Sequence, residues 1–203
     1  MFPFFESMAL IEGKIRNLNL HQIRINQTFA YFYPEYKAHE LLNLKLDNIT
    51  FQYPFSKLKF SYNHSEYILE IAPYQINSIE MVIPIHQPLL DYSFKYSNRL
   101  IINHLKNKVS NSAEILIVKN GIIRDTSIHN IIFSNGHEWF TPDEPLLNGT
   151  MRQYLLLKKI ITKRKISLQN LDQFNKFKLI NALNSMEESI AYPIELIKTQ
   201  KIL

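Results

Sequence analysis

Leu146-Leu147-Asn148-Gly149-Thr150-Met151-Arg152-Gln153 reads as a glycine turn that opens an amphipathic helix, because the apolar positions from Thr150 to Ile160 recur at helical spacing. A helix that begins this way turns backbone N–H groups out of its end, where an anion is held by hydrogen bonds and by the helix dipole. Two upstream segments give the turn its context. Phe94-Lys95-Tyr96-Ser97-Asn98-Arg99 sets a lysine between two aromatic residues, and Ile123-Arg124-Asp125-Thr126-Ser127-Ile128-His129-Asn130 sets an acid within a strand-like run.

Composition bounds what these segments can belong to. The 203 residues are 46% hydrophobic and 20% charged, with 13 Phe and 11 Tyr, enough apolar material for a folded core and against disorder. The net charge of +5 raises a nucleic-acid surface as a possibility. The basic residues are spread, however, and the densest run, Lys158 to Lys165, reads as a solvated helix end and turn, so no nucleic-acid partner is expected. There is no cysteine, which excludes disulfides, thiolate metal sites and a cysteine nucleophile. No apolar run reaches the length of a membrane span and no signal peptide is visible at Met1-Phe2-Pro3-Phe4, so the expectation is a cytoplasmic protein with no membrane partner. The seven histidines show no metal-ligand spacing, and no metal is expected.

Along the chain, Leu18 to Tyr33 predicts a helix ended by Pro34. Leu58 to Tyr62, Glu66 to Ile71 and Ser78 to Pro84 predict an antiparallel sheet. Pro84 to Asp91 has linker character. Ser93 to Lys108 predicts a helix led by Lys95. Asn120-Gly121 and Asn135-Gly136 are hairpin signals, since both residue types accept positive φ, and they predict a meander of Glu114–Lys119, Ile122–Ser134 and His137–Thr141. The expected architecture is α+β in two α/β lobes. Residues 1–84 form a small N-terminal lobe with an antiparallel sheet, 85–92 the linker, and 93–203 a larger C-terminal lobe of β-meander and helices.

Each candidate residue has a plain reading beside the chemical one. Lys95 is a nucleophilic amine if its aromatic neighbours desolvate it, and otherwise a surface lysine. Asp125 is a carboxylate placed for a cationic partner, or a solvated strand acid paired with a neighbour such as Arg124. The Asn148–Met151 turn is a phosphate cradle, or an ordinary helix start; it lacks the lysine of a nucleoside-triphosphate loop. His21 and Arg24 share a helix face, where Arg24 either meets a phosphate or faces solvent. Taken jointly and in this order, an amine, a carboxylate and a phosphate cradle are the three groups that pyridoxal phosphate needs.

The residues that carry this order also resemble a family. Phe5-Glu6-Ser7-Met8, His21-Gln22-Ile23-Arg24, Lys95 to Arg99, Gly121 through Phe133, Trp139-Phe140-Thr141-Pro142, Leu146 to Arg152 and Asn181-Ala182-Leu183 resemble the class IV aminotransferases, the fold-type IV enzymes that use pyridoxal phosphate. The resemblance implies Lys95 as the Schiff-base lysine and proton shuttle. It implies Arg24 with the backbone amides of Gly149, Thr150 and Met151 as the phosphate clamp, Asp125 as the acid at the pyridine nitrogen, and Asn130 among the cofactor-binding residues. Asn181 and Ala182 match the loop that closes over the phosphate. Where many members carry Glu, this chain has Asp125, one methylene shorter. The chain also begins at the Phe-Glu motif, where the family has a preceding strand segment, which puts its substrate-side contacts in question.

The pattern around Lys95 and Asn181 looks closer to 4-amino-4-deoxychorismate lyase, which eliminates pyruvate to give 4-aminobenzoate, than to the branched-chain aminotransferases. Transamination of D-amino or branched-chain amino acids is the alternative, and a non-catalytic cofactor-binding or basic binding module is the alternative of another class. The resemblance further implies a homodimer acting on a small amino-bearing metabolite.

Overall fold

The computed structural model describes residues 2–44 and 55–198. The chain forms two compact units, Met1–Gln75 with Phe94–Asn98, and Ile76–Ser93 with Arg99–Leu203. These divisions fall at other points than the lobe limits read from the sequence, and residues 85–92 lie inside the second unit.

The first unit is a helix on an antiparallel sheet. Strand β1, Phe4–Ile11, turns Phe4, Glu6, Met8 and Leu10 into the core at period two. The Glu12-Gly13 turn, both residues at positive φ, returns it to the short β2, Lys14–Ile15. Helix α1, Leu18–Phe32, buries Leu20, His21, Arg24, Ile25, Thr28 and Phe29 along one face. It ends where Pro34 requires: the Tyr33 amide still donates to Phe29 O at 2.8 Å, and the next residue has no amide to donate. Strand β3, Phe55–Tyr62, pairs along the whole of β1, with Phe4 opposite Tyr62, Glu6 opposite Phe60 and Met8 opposite Leu58. Strand β4, Tyr67–Pro73, closes the order β2-β1-β3-β4.

The predicted helix from Ser93 is not formed around Lys95. Phe94–Asn98 is an irregular segment lying along β1, with the Phe5 amide donating to Lys95 O at 3.1 Å, the Ser97 amide to Pro3 O at 2.8 Å, and the Tyr96 amide turning back to Phe94 O at 2.9 Å. Phe94-Lys95-Tyr96 alternates at period two, and both aromatic residues pack on the core of Phe4, Phe29 and Tyr62. A helix there would keep only one of the two rings on that core and leave the β1 edge without these bonds. The helix begins later, as α2, Leu100–Lys106, in the second unit.

The second unit is built of two sheets with the helices α2 and α3. Its first sheet joins strands β5, Met81–His86, β6, Ala113–Lys119, and β7, Ile122–Thr126. The sequence placed Ser78–Pro84 with the antiparallel strands upstream; instead β5 lies parallel to β6. An apolar run such as Met81-Val82-Ile83 carries no mark of its partner, and Pro84 is accommodated because β5 lies at the sheet margin. The β6–β7 turn is Asn120-Gly121, with φ of 52° and 77°, the two-residue hairpin that Asn-Gly predicts. The run Ile122–Ser134 is not one strand. It breaks at Ser127–Ile128, and β8, Asn130–Ser134, joins another sheet.

That sheet pairs β8 with β9, Trp139–Pro142, and continues after helix α3, Thr150–Leu157, through β10, Thr162–Arg164, β11, Lys176–Ile180, and β12, Ala191–Pro193. The order is β10-β9-β8-β11-β12. Ile131 and Phe133 face the main core with Leu116, Val118, Ile123 and Phe177. Ile132, on the opposite face, meets Met151 and Leu155 of α3. Burial on both faces explains why Asn130-Ile131-Ile132-Phe133 shows no apolar–polar alternation. Among the described residues no helix is long and apolar enough to cross a membrane.

Gly121→Ala tests the hairpin. At φ of 77° with nothing within 4 Å of an added Cβ, the substitution meets no clash and costs only the left-handed backbone, about 1 kcal/mol. Denaturant unfolding of the cofactor-free protein should show that loss without a change in slope.

Candidate active site

The sequence-predicted residues fall into two groups, one in each unit. Lys95 and Arg24 lie in the first; Asp125, Asn130, Gly149, Thr150, Met151, Asn181 and Ala182 lie in the second.

In the first unit, Phe94, Lys95 and Tyr96 are all half-buried; the two rings pack on the aromatic core, and Lys95 Nζ sits 5.1 Å from the centroid of the Phe5 ring. A cation over an aromatic face is held by the ring quadrupole while remaining within a partly apolar setting. Arg24 is not on a solvent face. It is 7% exposed, and its Nε donates to Glu6 Oε1 at 2.8 Å while Nη2 meets Glu6 Oε2. His21, fully buried, places Nδ1 2.6 Å from the same Oε2. Burial alone would raise the Glu6 carboxyl, but the Arg24 charge and the hydrogen bonds from His21 and Arg24 outweigh it and hold the pKa at about 2. Burial pushes the His21 imidazole down, and the charges of Arg24 and Lys95 act in the same direction against the pull of Glu6. His21 is therefore neutral, and because ionised Glu6 only accepts, His21 donates through Nδ1–H.

In the second unit, Asp125 is the penultimate residue of β7 and is 5% exposed. It does not pair with Arg124, whose guanidinium turns outward to Glu144. Asp125 Oδ1 accepts from Asn130 Nδ2 at 2.7 Å, and Oδ2 accepts from the Leu147 amide at 2.9 Å. Asn130 Nδ2 also donates to Leu147 O at 2.9 Å. One carboxylate and one amide thus pin the loop that leads into α3. Burial raises the Asp125 carboxyl to about 6, against the hydrogen bonds from Leu147 and Asn130 and the Arg152 charge.

Gly149 is required by closeness. A Cβ there would lie 2.1 Å from Asn130 Oδ1, inside any tolerable contact. Its backbone, at φ −63° and ψ 148°, delivers the chain into the first turn of α3, where Thr150 and Met151 are buried. The amides of such a turn point out of the helix end. Asn181 closes a tight turn: its Oδ1 accepts from the Leu183 amide at 2.8 Å, and its Nδ2 donates to Ile128 O at 3.3 Å. Ala182 stands half-buried at the tip of this turn, so the Asn181 loop is tied to the turn that joins Asp125 to Asn130.

Several residues escaped the sequence reading. Arg152 is 2% exposed; its Nη1 donates to Asn148 Oδ1 at 2.7 Å and its Nη2 to Pro142 O at 2.8 Å, bracing the same loop from the other side. Its signal was an arginine beside Met151 and one turn before Leu155, on the buried stripe of the helix. Glu6 carried a signal as well, an acid at an inward position of an alternating strand. Glu114 accepts from Ser127 Oγ at 2.9 Å and supports the Thr126–His129 turn; nothing in the apolar run of β6 announced it. Arg99 Nη2 donates to Ser127 O of that turn at 2.7 Å.

The pattern described by the amino-transferase class IV family matches residues 3–187. An uncharacterized protein of Haemophilus influenzae is 35% identical over 188 residues, covering 92% of this chain and 100% of that protein. The crystal structure of a provisionally named 4-amino-4-deoxychorismate lyase from Haemophilus somnus is 34% identical, with a TM-score of 0.81 over 92% of this chain and 98% of that one. A hypothetical aminotransferase of Mycobacterium tuberculosis in its PLP-bound form, 12% identical, shares the fold at a TM-score of 0.73 over 98% of this chain and 82% of that one.

The two buried acids predict opposite dependences on pH. Folded Asp125 keeps its proton up to about 6, whereas an unfolded Asp releases it near 3.9, so stability falls as pH rises from roughly 4 to 6, by about 3 kcal/mol. Glu6, ionised in the folded state down to about 2, contributes stability that is present above roughly 4.5 and lost as pH falls below it. Urea unfolding from pH 3 to 8 should show Asp125→Asn gaining on the wild type across pH 4 to 6, with the difference level above.

Gly149→Ala should act through Asn130, whose amide oxygen must move to admit the methyl. A loss of a few kcal/mol in stability is expected. Amide proton shifts at Leu147 should change with it, since Asn130 and Asp125 hold that residue.

Proposed function

This chain belongs to the class IV aminotransferases, and we propose that it is a pyridoxal-phosphate enzyme of the 4-amino-4-deoxychorismate lyase type, eliminating pyruvate to leave 4-aminobenzoate. The observation that carries the lyase reading is the full-length likeness, at 34% identity, to the provisionally named lyase of Haemophilus somnus. The donor types of each unit suit the cofactor: in the first, the Lys95 amine and the Arg24 guanidinium, a donor to phosphate; in the second, the amides of Gly149, Thr150 and Met151, also donors to phosphate, and Asp125, a buried acceptor. Asp125 already accepts one hydrogen bond at each oxygen, and a carboxylate has about four acceptor positions, so a ring N–H can be added. Positive charge at that nitrogen would lower the Asp125 pKa and favour its ionised form.

When bound, pyridoxal phosphate supplies an electron sink conjugated to the substrate's amine. The chain's residues do the rest. Lys95 would hold the cofactor through its amine, and Nζ, once released, would serve as the base for the proton on the amine-bearing carbon of the substrate. Asp125, held in place by Asn130, would keep the ring nitrogen protonated, and Asn181 and Ala182 would cover the phosphate. We place the enzyme in the cytoplasm as a homodimer, as in the resembled family.

The test is direct. Purified protein given pyridoxal phosphate should absorb in the visible, borohydride should fix the cofactor on Lys95, and 4-aminobenzoate fluorescence should appear without any 2-oxo acid acceptor. Product only with an acceptor, together with spectral half-reactions with D- or L-amino acids, would replace the lyase by a transaminase. A protein unchanged by the cofactor would overturn the enzyme reading. Lys95→Ala should abolish turnover with the far-ultraviolet circular dichroism unchanged; retained turnover would remove Lys95 from the chemistry.

A further inference from the structure

We infer that Glu6 is a positioning residue for the cofactor phosphate, acting through Arg24 and itself held by His21. The inference rests on the reading of Arg24 as the phosphate clamp. Glu6 occupies a core position of β1 between Phe4 and Met8 and is wholly buried. A carboxylate moved out of water costs several kcal/mol unless partners answer each oxygen, and here both are answered. Arg24 meets Oε1 through Nε and Oε2 through Nη2, and His21 donates to Oε2.

Pairing along the Nε–Nη2 side fixes the plane of the guanidinium as well as its position. An arginine has four side-chain torsions, and the two bonds to Glu6 restrain the last of them. The helix makes the arrangement possible. His21 and Arg24 are three residues apart on one face of α1, so both reach the same strand residue. His21 fixes the carboxylate in turn, its Nδ1 2.6 Å from Oε2.

The charge balance sharpens the argument. With His21 neutral, the cluster of Glu6, His21 and Arg24 holds one negative and one positive charge. Arg24 then serves an anion chiefly by the direction of its N–H groups, because Glu6 offsets its net field. A clamp that works by direction fails when its support is removed. A clamp that works by charge improves when the opposing carboxylate is removed. The two give opposite signs in one experiment.

The experiment is a double-mutant cycle of Glu6→Gln and Arg24→Ala, read as the affinity for pyridoxal phosphate and, in parallel, for pyridoxal, which lacks the phosphate. Arg24→Ala should weaken pyridoxal phosphate about 10- to 100-fold. Glu6→Gln should weaken it at least several-fold while leaving pyridoxal affinity unchanged, which also shows that the variant is folded. In the Glu6→Gln background, Arg24→Ala should lose most of its effect. If Arg24→Ala costs as much or more in that background, or if pyridoxal affinity falls equally, Glu6 is a structural or charge-balancing residue and the inference is overturned. If Arg24→Ala leaves wild-type cofactor affinity unchanged, it is the clamp reading that fails, and if wild-type protein binds neither ligand, the proposed function fails.

Discussion

The second unit is organised around a carboxylate that is out of water yet answered by neutral donors. Asp125 takes one hydrogen bond from a side chain that begins the next strand and one from a loop amide twenty-two residues on. Through these bonds the end of one sheet, the start of another and the entry to α3 share a single reference point. Asn130 extends the link by donating to Leu147 O and by occupying the space that a side chain at position 149 would need. Arg152 closes the figure from below, tying Asn148 to the end of β9. A helix N-terminus proposed to meet an anion has to be placed to within a fraction of an ångström to be useful, and this group of short polar contacts fixes where α3 begins.

The first unit solves the same problem with the opposite electrostatics. Glu6 is as buried as Asp125, but its partners include a guanidinium, and its carboxyl is held at about 2 where that of Asp125 rises to about 6. The contrast follows from the donors each carboxylate bonds, since the guanidinium on Glu6 stabilises the ionised acid far more than the amides on Asp125 do, even with the Arg152 charge acting on the latter. The permanent ion is used to fix a side chain, and the acid left near neutrality is the one whose state a cationic partner can change. Fixing an arginine and tuning an acid are distinct uses of burial, and this chain assigns them to different carboxylates.

Much of this was legible in the sequence, and the limits have physical causes. Helix α1 and its stop at Pro34, the Asn120-Gly121 turn and the start of α3 after Gly149 follow from local rules, so they could be read residue by residue. The break at Ser127–Ile128 could not, because apolar residues flank it on both sides and the strands it joins are buried against different partners. Phe94-Lys95-Tyr96 suits a strand or a helix end equally; the bare edge of β1, ninety residues away, decides between them. The same holds for β5, whose parallel partner has no signature in Met81–His86. In the candidate site, the residue types proposed for chemistry were visible through their order along the chain. Those that hold them, Glu6, Glu114 and Arg152, were concealed by position: each is a charged residue on a face that pattern reading assigns to the core.

The first unit is discontinuous in sequence, and this orders events during synthesis. After Gln75 has left the ribosome, β1 still has an unpaired edge at Pro3 and Phe5, and the rings of Phe4 and Phe32 still lack Phe94 and Tyr96. That gap is filled only when Asn98 has emerged. By then β5 is already exposed, while its partner β6, beginning at Ala113, is still to come. Completion of one unit therefore overlaps with an aggregation-prone stage of the other, when an apolar strand awaits its neighbour. Lys95 rides on the segment that ends the first of these intervals. The Lys95 amine acquires its setting by a long-range closure rather than by a local turn, and a nascent chain halted before that point would carry the N-terminal sheet without it.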